Sequence, residues 1–298
     1  MSRESFEKYL ALERNYSVHT VRAYLGDLQE FADYCLEAHG ENDLEDLPYT
    51  LIRSWIIALM EAGLTGRSIN RKTAALKSYY KYLVRIGRIQ TSPLAGHRPV
   101  RSARKVEVPF SVEEMRRLLA DWPPAEAYED LRDQLMIELL YTTGMRRAEL
   151  IGLTLADLDR SRATLKVLGK RNKERLLPLL SELLPRIDRY LEVRAAEFPD
   201  GPDPHFFLTA SGNKVYDTLV YRIINRYLSM VSAKTKKSPH ILRHTFATHL
   251  LNQGADMNAV KELLGHTSLA STQVYTHNSI AELKRIHGSA HPRNLDKH

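Results

Sequence analysis

Residues 238–254 read SPHILRHTFATHLLNQG. Ser238 and Pro239 are good cap and first-turn residues and Gly254 is a good stop, so the spacing predicts one helix between them. Leu242, Phe246, Leu250 and Leu251 supply its buried side. His240 and Arg243 are three positions apart and share a face. An imidazole beside a guanidinium is a poor core pair and a good cradle for a phosphate. A metal reading fails here: His240 and His244 have two-ligand spacing, but HILRH lacks the glutamate of HExxH and Arg243 would repel a cation. His249 lies about 140 degrees around the helix from His244 and is expected to be structural or at the surface.

Downstream, Asp256 caps a helix that Gly265 ends, leaving His266 just beyond its carboxyl terminus. Ser268 is placed to cap a second short helix carrying Tyr275. The chain has 15 tyrosines, and a buried core role is the default for any one of them. Tyr275 stands apart because His266 and His277 flank it. Upstream, residues 163–178, ATLKVLGKRNKERLLP, predict two short strands joined by a charged turn, with a further strand at His205 to Thr209 before the turn Ser211-Gly212-Asn213. Asp157 and Asp159 read as connection residues. Ser111 and Glu114 form a capping box. A helix from Tyr128 to Thr142 ends at Gly144.

The first part of the chain reads as four helices with short connections, a compact bundle. They cover Ser2 to Arg14, the stretch after Ser17 to Ala38, Leu51 to Glu61, and Ser68 to Ile86. Residues 91–109, TSPLAGHRPVRSARKVEVP, suit an extended basic linker. The expected fold is therefore mainly α with a small antiparallel β-sheet. It consists of a helical amino-terminal domain over 1–92, a linker over 93–109 and an α+β domain over 110–298.

Bulk properties bound the function. With 298 residues, 43% hydrophobic and 27% charged, a packed core is expected. No run approaches the ~18 apolar residues of a membrane span. The amino terminus lacks a signal peptide's apolar middle, and Cys35 is the only cysteine, so a reducing cytoplasm fits. Lys and Arg number 43 against 36 Asp and Glu, with a pI near 9.3, which slightly favours a polyanionic partner.

Taken in order, TGMRRAEL, GKRNKER, HILRH, LLGH and VYTH resemble the tyrosine recombinase family. The helical first half resembles that family's core-binding domain, and AHPR resembles the Xer type. The resemblance implies that Arg146 is the first catalytic arginine, Lys170 the lysine of the strand turn, His240 the first histidine and Arg243 the second arginine. His266 matches the position that is His or Trp, and Tyr275 matches the nucleophile. Two arginines donating to the non-bridging oxygens would stabilise a pentavalent phosphorus. His240 would take the tyrosine proton, Lys170 would protonate the leaving 5′ oxygen, and His266 would hold a phosphate oxygen. Glu149 is read as a support for its helix face or for Arg243. GKRNK, with Arg171, and Ala148 in TGMRRAEL depart from the usual pattern without removing a catalytic group. No metal, ATP or other cofactor is implied, and no GxxxxGK[ST] loop is present.

The resemblance also implies partners: a double-stranded recombination site, a cyclic tetramer on two such sites with a second Xer recombinase, and a septal DNA translocase, in the resolution of chromosome dimers. Candidate DNA contacts are Arg22, Arg71, Lys72 and Lys77 in the helices and Arg101, Arg104 and Lys105 in the linker. Residues 278–298 predict a last helix capped by Ser279, with Ile280, Leu283 and Ile286 as an apolar stripe that packs on its own domain or, as the resemblance to Xer proteins implies, docks on a neighbouring copy. The alternatives are an integrase of a mobile element, a topoisomerase acting without synapsis, and a DNA-binding accessory protein that does not cleave. The complete set of six residues argues against the last.

Overall fold

Capping chemistry sets the boundaries of the first helices. The computed structural model describes all residues except Met1, Asn42, Asp46, 103–106, Asp121, 123–124, Glu126, 170–172, 200–202, 235–236, 266–276 and 293–298, and at 2–3 and 277–283 the backbone alone. The chain divides into two units, Met1–Val106 and Glu107–His298.

In the first unit, α1 (Ser2–Lys8) runs into a π-helical stretch, Tyr9–Glu13. Helix α2 (Val18–His39) starts where Ser17 Oγ accepts the Thr20 N–H, and it stops at Gly40, whose φ of +66° is left-handed. Helix α3 is Tyr49–Glu61 and α4 is Gly66–Arg85. α4 begins two residues before the expected Ser68 because Thr65 accepts the Ser68 N–H. Phe6, Phe31, Trp55, Leu76 and Tyr80 fill the core between these helices.

The stretch expected to be an extended linker is docked on this unit as far as Val100. Leu94 is fully buried in the helical core. Asn70 clasps Val100 from both sides, its Nδ2 donating to the carbonyl and its Oδ1 accepting the N–H, both at 2.8 Å. A Cβ on Gly66 would sit 2.8 Å from the Arg101 carbonyl oxygen, so a side chain there would push this segment away. Prolines and arginines made the segment look like a tether; one leucine and one asparagine anchor it.

The second unit opens with α5 (Val112–Ala120), whose capping box is present: Ser111 Oγ accepts from Glu114 N at 3.1 Å, and Glu114 accepts from Ser111 N at 2.7 Å. Helix α6 (Tyr128–Thr143) is buried without a break from Arg132 to Thr143 and forms the centre of the unit. Helix α7 (Arg147–Gly152) follows after three residues. The sheet is antiparallel in the order β1 (Leu158–Asp159), β2 (Thr164–Leu168), β3 (Glu174–Pro178), with Lys166 opposite Leu176. The two expected strands are β2 and β3, and Asp159 joins β1. Among the described residues, His205 to Thr209 makes the single bridges Thr154–His205 and Leu208–Lys214 and no sheet strand. Helices α8 (Leu183–Glu197), α9 (Asp217–Val231), α10 (Pro239–Asn252), α11 (Met257–Leu264) and α12 (His277–Ala290) complete the unit. α8 was not singled out in the sequence, where Pro185 in its first turn interrupts the pattern.

One expectation about the carboxyl-terminal part changes, and the side chains of Ile280 and Leu283 lie outside the described residues. α12 begins at His277, so Ser279 lies inside it rather than capping it. Its last turns pack on their own unit: His287, Ala290 and His291 are buried, with Phe246 and Tyr141 against the imidazoles. Leu251, expected to face the core, is exposed. Among the described residues, no helix is long and apolar enough to cross a membrane.

His249 is structural. Its Nε2 donates to the Phe110 carbonyl at 2.8 Å, so its Nδ1 accepts from Tyr141 Oη at 2.9 Å. His287 Nε2 donates to the Thr142 carbonyl at 2.6 Å. Burial pushes both imidazoles below their ordinary pKa, His287 to about 4. The folded form therefore resists a proton that the unfolded chain accepts at about pH 6.5. Stability of this unit falls as pH drops from about 6.5 to about 4. We expect His287→Gln, which keeps an N–H donor but cannot titrate there, to remove about 2 kcal/mol of the stability difference between pH 7 and pH 5 in urea unfolding. An unchanged difference would show that His287 does not carry the effect.

Candidate active site

Gly144 ends α6 in the left-handed region at φ +62°, and Arg146, extended at ψ 151°, caps α7. This tight reversal holds the Gly144 carbonyl and the Arg146 side chain at the same place. Arg243, from α10, reaches it: its Nη1 donates to the Gly144 carbonyl at 2.6 Å and its Nη2 to the Leu264 carbonyl. Arg146 Nη2 donates to the Gly265 carbonyl at 3.3 Å. A third guanidinium, Arg175 on β3, donates through Nε to the Leu263 carbonyl at 3.1 Å. Three consecutive carbonyls at the end of α11 are thus capped by arginines from three different elements. The negative end of a helix dipole favours such cations.

Glu149 lies beneath them and is almost wholly buried. Arg175 holds it bidentately, Nη1 to Oε1 at 2.7 Å and Nη2 to Oε2 at 2.8 Å. Arg146 adds Nη1 to Oε1 at 2.8 Å and its own backbone N–H to Oε2 at 2.7 Å. Burial alone would raise the Glu149 carboxyl, but Arg175 and Arg146 hold it below the usual carboxylate range. Glu149 was expected to support its helix or Arg243; it caps the start of α7 through the Arg146 N–H, and its guanidinium partners are Arg146 and Arg175 rather than Arg243. Burial, reinforced by the charge of Arg146, lowers Arg243 to about 10, which leaves it charged at neutral pH.

Of the six residues singled out as a catalytic set, Arg146 and Arg243 come together. His240 lies on α10 one turn before Arg243 but points outward: its side chain is 77% exposed, with Nε2 3.6 Å from Glu107 Oε2. Lys170, His266 and Tyr275, with Arg171, fall outside the described residues. Their neighbours are placed. The base of the β2–β3 turn closes through Gly169 N–H to the Lys173 carbonyl at 2.8 Å. A Cβ on Gly169 would lie 3.5 Å from Arg175 Nη1 and 3.8 Å from Glu149 Oε1. Gly265, left-handed at φ +64°, directly precedes His266. Arg147 pairs with Asp217, and Ala148 is exposed. Among the described residues, no group of three or more His, Cys, Asp or Glu side chains could hold a metal ion.

The sequence reading missed Arg175. A strand's period of two could have found it, because Arg175 shares the inward face with Leu177. Counting Arg146, Arg175 and Arg243 against Glu149, the cluster carries two uncompensated positive charges. An arrangement of this sign suits a phosphate.

The candidate DNA contacts divide. Arg22, Lys77 and Arg101 are exposed. Arg71 is half exposed and gives both terminal nitrogens to Asp27. Lys72 is buried, with its ammonium between Asp27, at 3.3 Å, and Glu30, so it is withdrawn from the surface. Arg104 and Lys105 lie outside the described residues.

Residues 109–282 match the model of the phage integrase family, and residues 4–87 match that of the phage integrase N-terminal SAM-like domain. The chain belongs to the phage integrase family. It is 39% identical over 97% of its length to the tyrosine recombinase XerC of Chlorobaculum parvum, covering 94% of that protein. It is 36% identical, again over 97%, to the XerC of Pelobacter propionicus, covering 94% of it. Solved members share the fold. The XerH recombinase bound to a difH substrate matches with a TM-score of 0.68 at 23% identity, over 92% of this chain and 80% of that one. The Tn1549 transposon integrase bound to transposon-end DNA matches with 0.68 at 21%, over 96% and 99%. Within the phage integrase family this chain is a Xer-type site-specific tyrosine recombinase, an enzyme that transfers DNA strands.

Gly144 has no room for a methyl group. A Cβ there would overlap the Phe246 ring and lie 3.0 Å from Leu264 Cδ2, at a φ of +62°. We expect Gly144→Ala to cost at least about 2 kcal/mol in thermal or urea unfolding, from left-handed strain plus overlap. A loss under about 0.5 kcal/mol would mean that the reversal is not constrained as described.

Proposed function

We propose that Arg146 and Arg243 bind the two non-bridging oxygens of a scissile DNA phosphate while Tyr275 attacks its phosphorus. The observation that carries this reading is the pair of guanidiniums fixed side by side on backbone carbonyls in a cluster of net positive charge. A bond forms from Tyr275 Oη to phosphorus and the bond from phosphorus to the 5′ oxygen breaks, giving a 3′-phosphotyrosyl ester and a free 5′ hydroxyl. His240 takes the tyrosine proton and Lys170 gives one to the departing oxygen, while His266 donates to a phosphate oxygen. The outward setting of His240 at the start of α10 leaves its imidazole accessible for that exchange. The ester retains the energy of the original bond, so the 5′ hydroxyl of a second duplex reverses the attack without ATP or a metal ion.

The substrate in this reading is a duplex recombination site of the dif type, and the cellular task is resolution of chromosome dimers in the cytoplasm. The support is the set of XerC relatives and the folds shared with recombinases solved on DNA. A cyclic tetramer on two sites, with a second Xer recombinase and a septal translocase, belongs to the same proposal. Arg22, Arg71, Lys77, Arg101, Arg104 and Lys105 are the proposed phosphate contacts; burial removes Lys72 from the set. The units Met1–Val106 and Glu107–His298 are proposed as the core-binding and catalytic domains.

The test is a nicked suicide duplex carrying a dif-type site, incubated with the protein in EDTA and resolved on a denaturing gel. We expect a covalent protein–DNA adduct that Tyr275→Phe abolishes while binding by gel shift is retained. Tight binding without an adduct, even when a second recombinase is supplied, would instead identify a non-cleaving DNA-binding protein. An adduct on transposon ends but not on dif-type DNA would identify a mobile-element integrase.

A further inference from the structure

A buried arginine in a strand beside a charged turn requires an explanation, because burying a guanidinium is costly unless it is paired. The Arg175 side chain is 5% exposed. It spends Nη1 and Nη2 on Glu149 and Nε on the Leu263 carbonyl. It therefore ties β3 to α7 through a carboxylate and to the end of α11 through a carbonyl. Glu149 in turn holds the Arg146 guanidinium by Nη1 and the Arg146 backbone by its N–H. Gly265, one residue beyond the α11 helix, lies against Arg175: a Cβ there would stand 3.2 Å from Cδ, Nε and Nη1. The left-handed glycine that starts the segment leading to Tyr275 is thus fitted to this side chain.

We propose that Arg175 is a positioning residue for strand cleavage: through Glu149 and the Leu263 carbonyl it fixes the Arg146 guanidinium against the end of α11. This deepens the reading above and rests on it, since it takes Arg146 to be the group that meets the scissile phosphate. Without Arg175, Glu149 has one guanidinium partner instead of two and draws Arg146 toward itself. The α11 end loses one of its three caps. Arg146 then meets a phosphate oxygen less often and in poorer geometry. Lysine is no substitute, because an ammonium cannot hold both carboxylate oxygens in one plane and also reach a carbonyl.

The chemistry supplies a readout that misfolding would not move. A methylphosphonate at the scissile position replaces one charged non-bridging oxygen with a methyl group, so less charge awaits Arg146. We expect Arg175→Lys to bind a suicide duplex within about twofold of the unmodified protein while slowing single-turnover cleavage at least about tenfold. That deficit should shrink at least about fivefold on the methylphosphonate duplex. The double variant Glu149→Met/Arg175→Met removes the most deeply buried pair together, so that the one guanidinium left without its carboxylate partner is the partly exposed Arg146. It should fold and still cleave the phosphodiester at least about tenfold slowly, because Arg146 has lost its holder. Equal deficits on both substrates, or full activity in the double variant, would overturn the proposal. Failure of the unmodified protein to form an adduct on either duplex would instead refute the assignment of Tyr275 and Arg146.

Discussion

A buried carboxylate with cations on two sides is what the active end of the second unit depends on. Glu149 is almost wholly buried, so its charge must be met inside, and Arg146 and Arg175 meet it. Those two guanidiniums and Arg243 then reach past the carboxylate to the carbonyls of Leu263, Leu264 and Gly265. Hydrogen bonds to charged groups are worth about 1.5–3 kcal/mol each, and removing one partner of a buried pair costs about 3–5 kcal/mol. At those magnitudes the network outweighs the intrinsic preference of a six-residue helix such as α7. α6, α7, β3, α10 and α11 are held in register by polar contacts at this end; elsewhere α6, α7, β3 and α10 share the main apolar core, and α11 packs with Phe246 and Leu250 of α10 in a second cluster.

The same contacts prepare the site for an anion. A guanidinium has five N–H donors in a rigid fork. Arg243 places two of them on the carbonyls of Gly144 and Leu264, which sets the plane of the group before any substrate arrives. Orientation settled in advance lowers the cost of reorganisation when charge develops on phosphorus. The positive excess of the cluster gives that fixed geometry its sign. In the proposed reading, binding along the rest of a duplex falls to exposed cations such as Arg22, Lys77 and Arg101, a contribution that weakens with salt.

Much of this was legible in the sequence, for local reasons. Ser17 and Gly40 around α2, Ser111 with Glu114 before α5, and Asp256 and Gly265 around α11 are short-range signals, and each acts as its chemistry indicates. Arg146 and Arg243 were named from motifs, and they meet. The signals that failed depend on tertiary context. Lys72 looks like any helix-surface lysine until Asp27 and Glu30 close over it. Arg175 follows Glu174 and a charged turn, so its neighbours suggested solvent; only its alternation with Leu177 and the distant carboxylate of Glu149 explain its burial. Leu94 and Asn70 anchor a segment whose composition suggested a tether. The packing of the His287 and His291 rings on Phe246 of the same unit had no local signal either.

The central claim is that one negative charge at Glu149 holds the cations of the active end in place. Glu149→Gln tests it most directly, since the amide keeps the size of the side chain while it removes the charge and one of the two acceptor oxygens. The account predicts a protein at least about 3 kcal/mol less stable in urea unfolding, because buried guanidiniums lose their counter-ion. It also predicts slow cleavage of a suicide duplex that is still bound with near-normal affinity. A Glu149→Gln protein as stable and as fast as the unmodified one would contradict it.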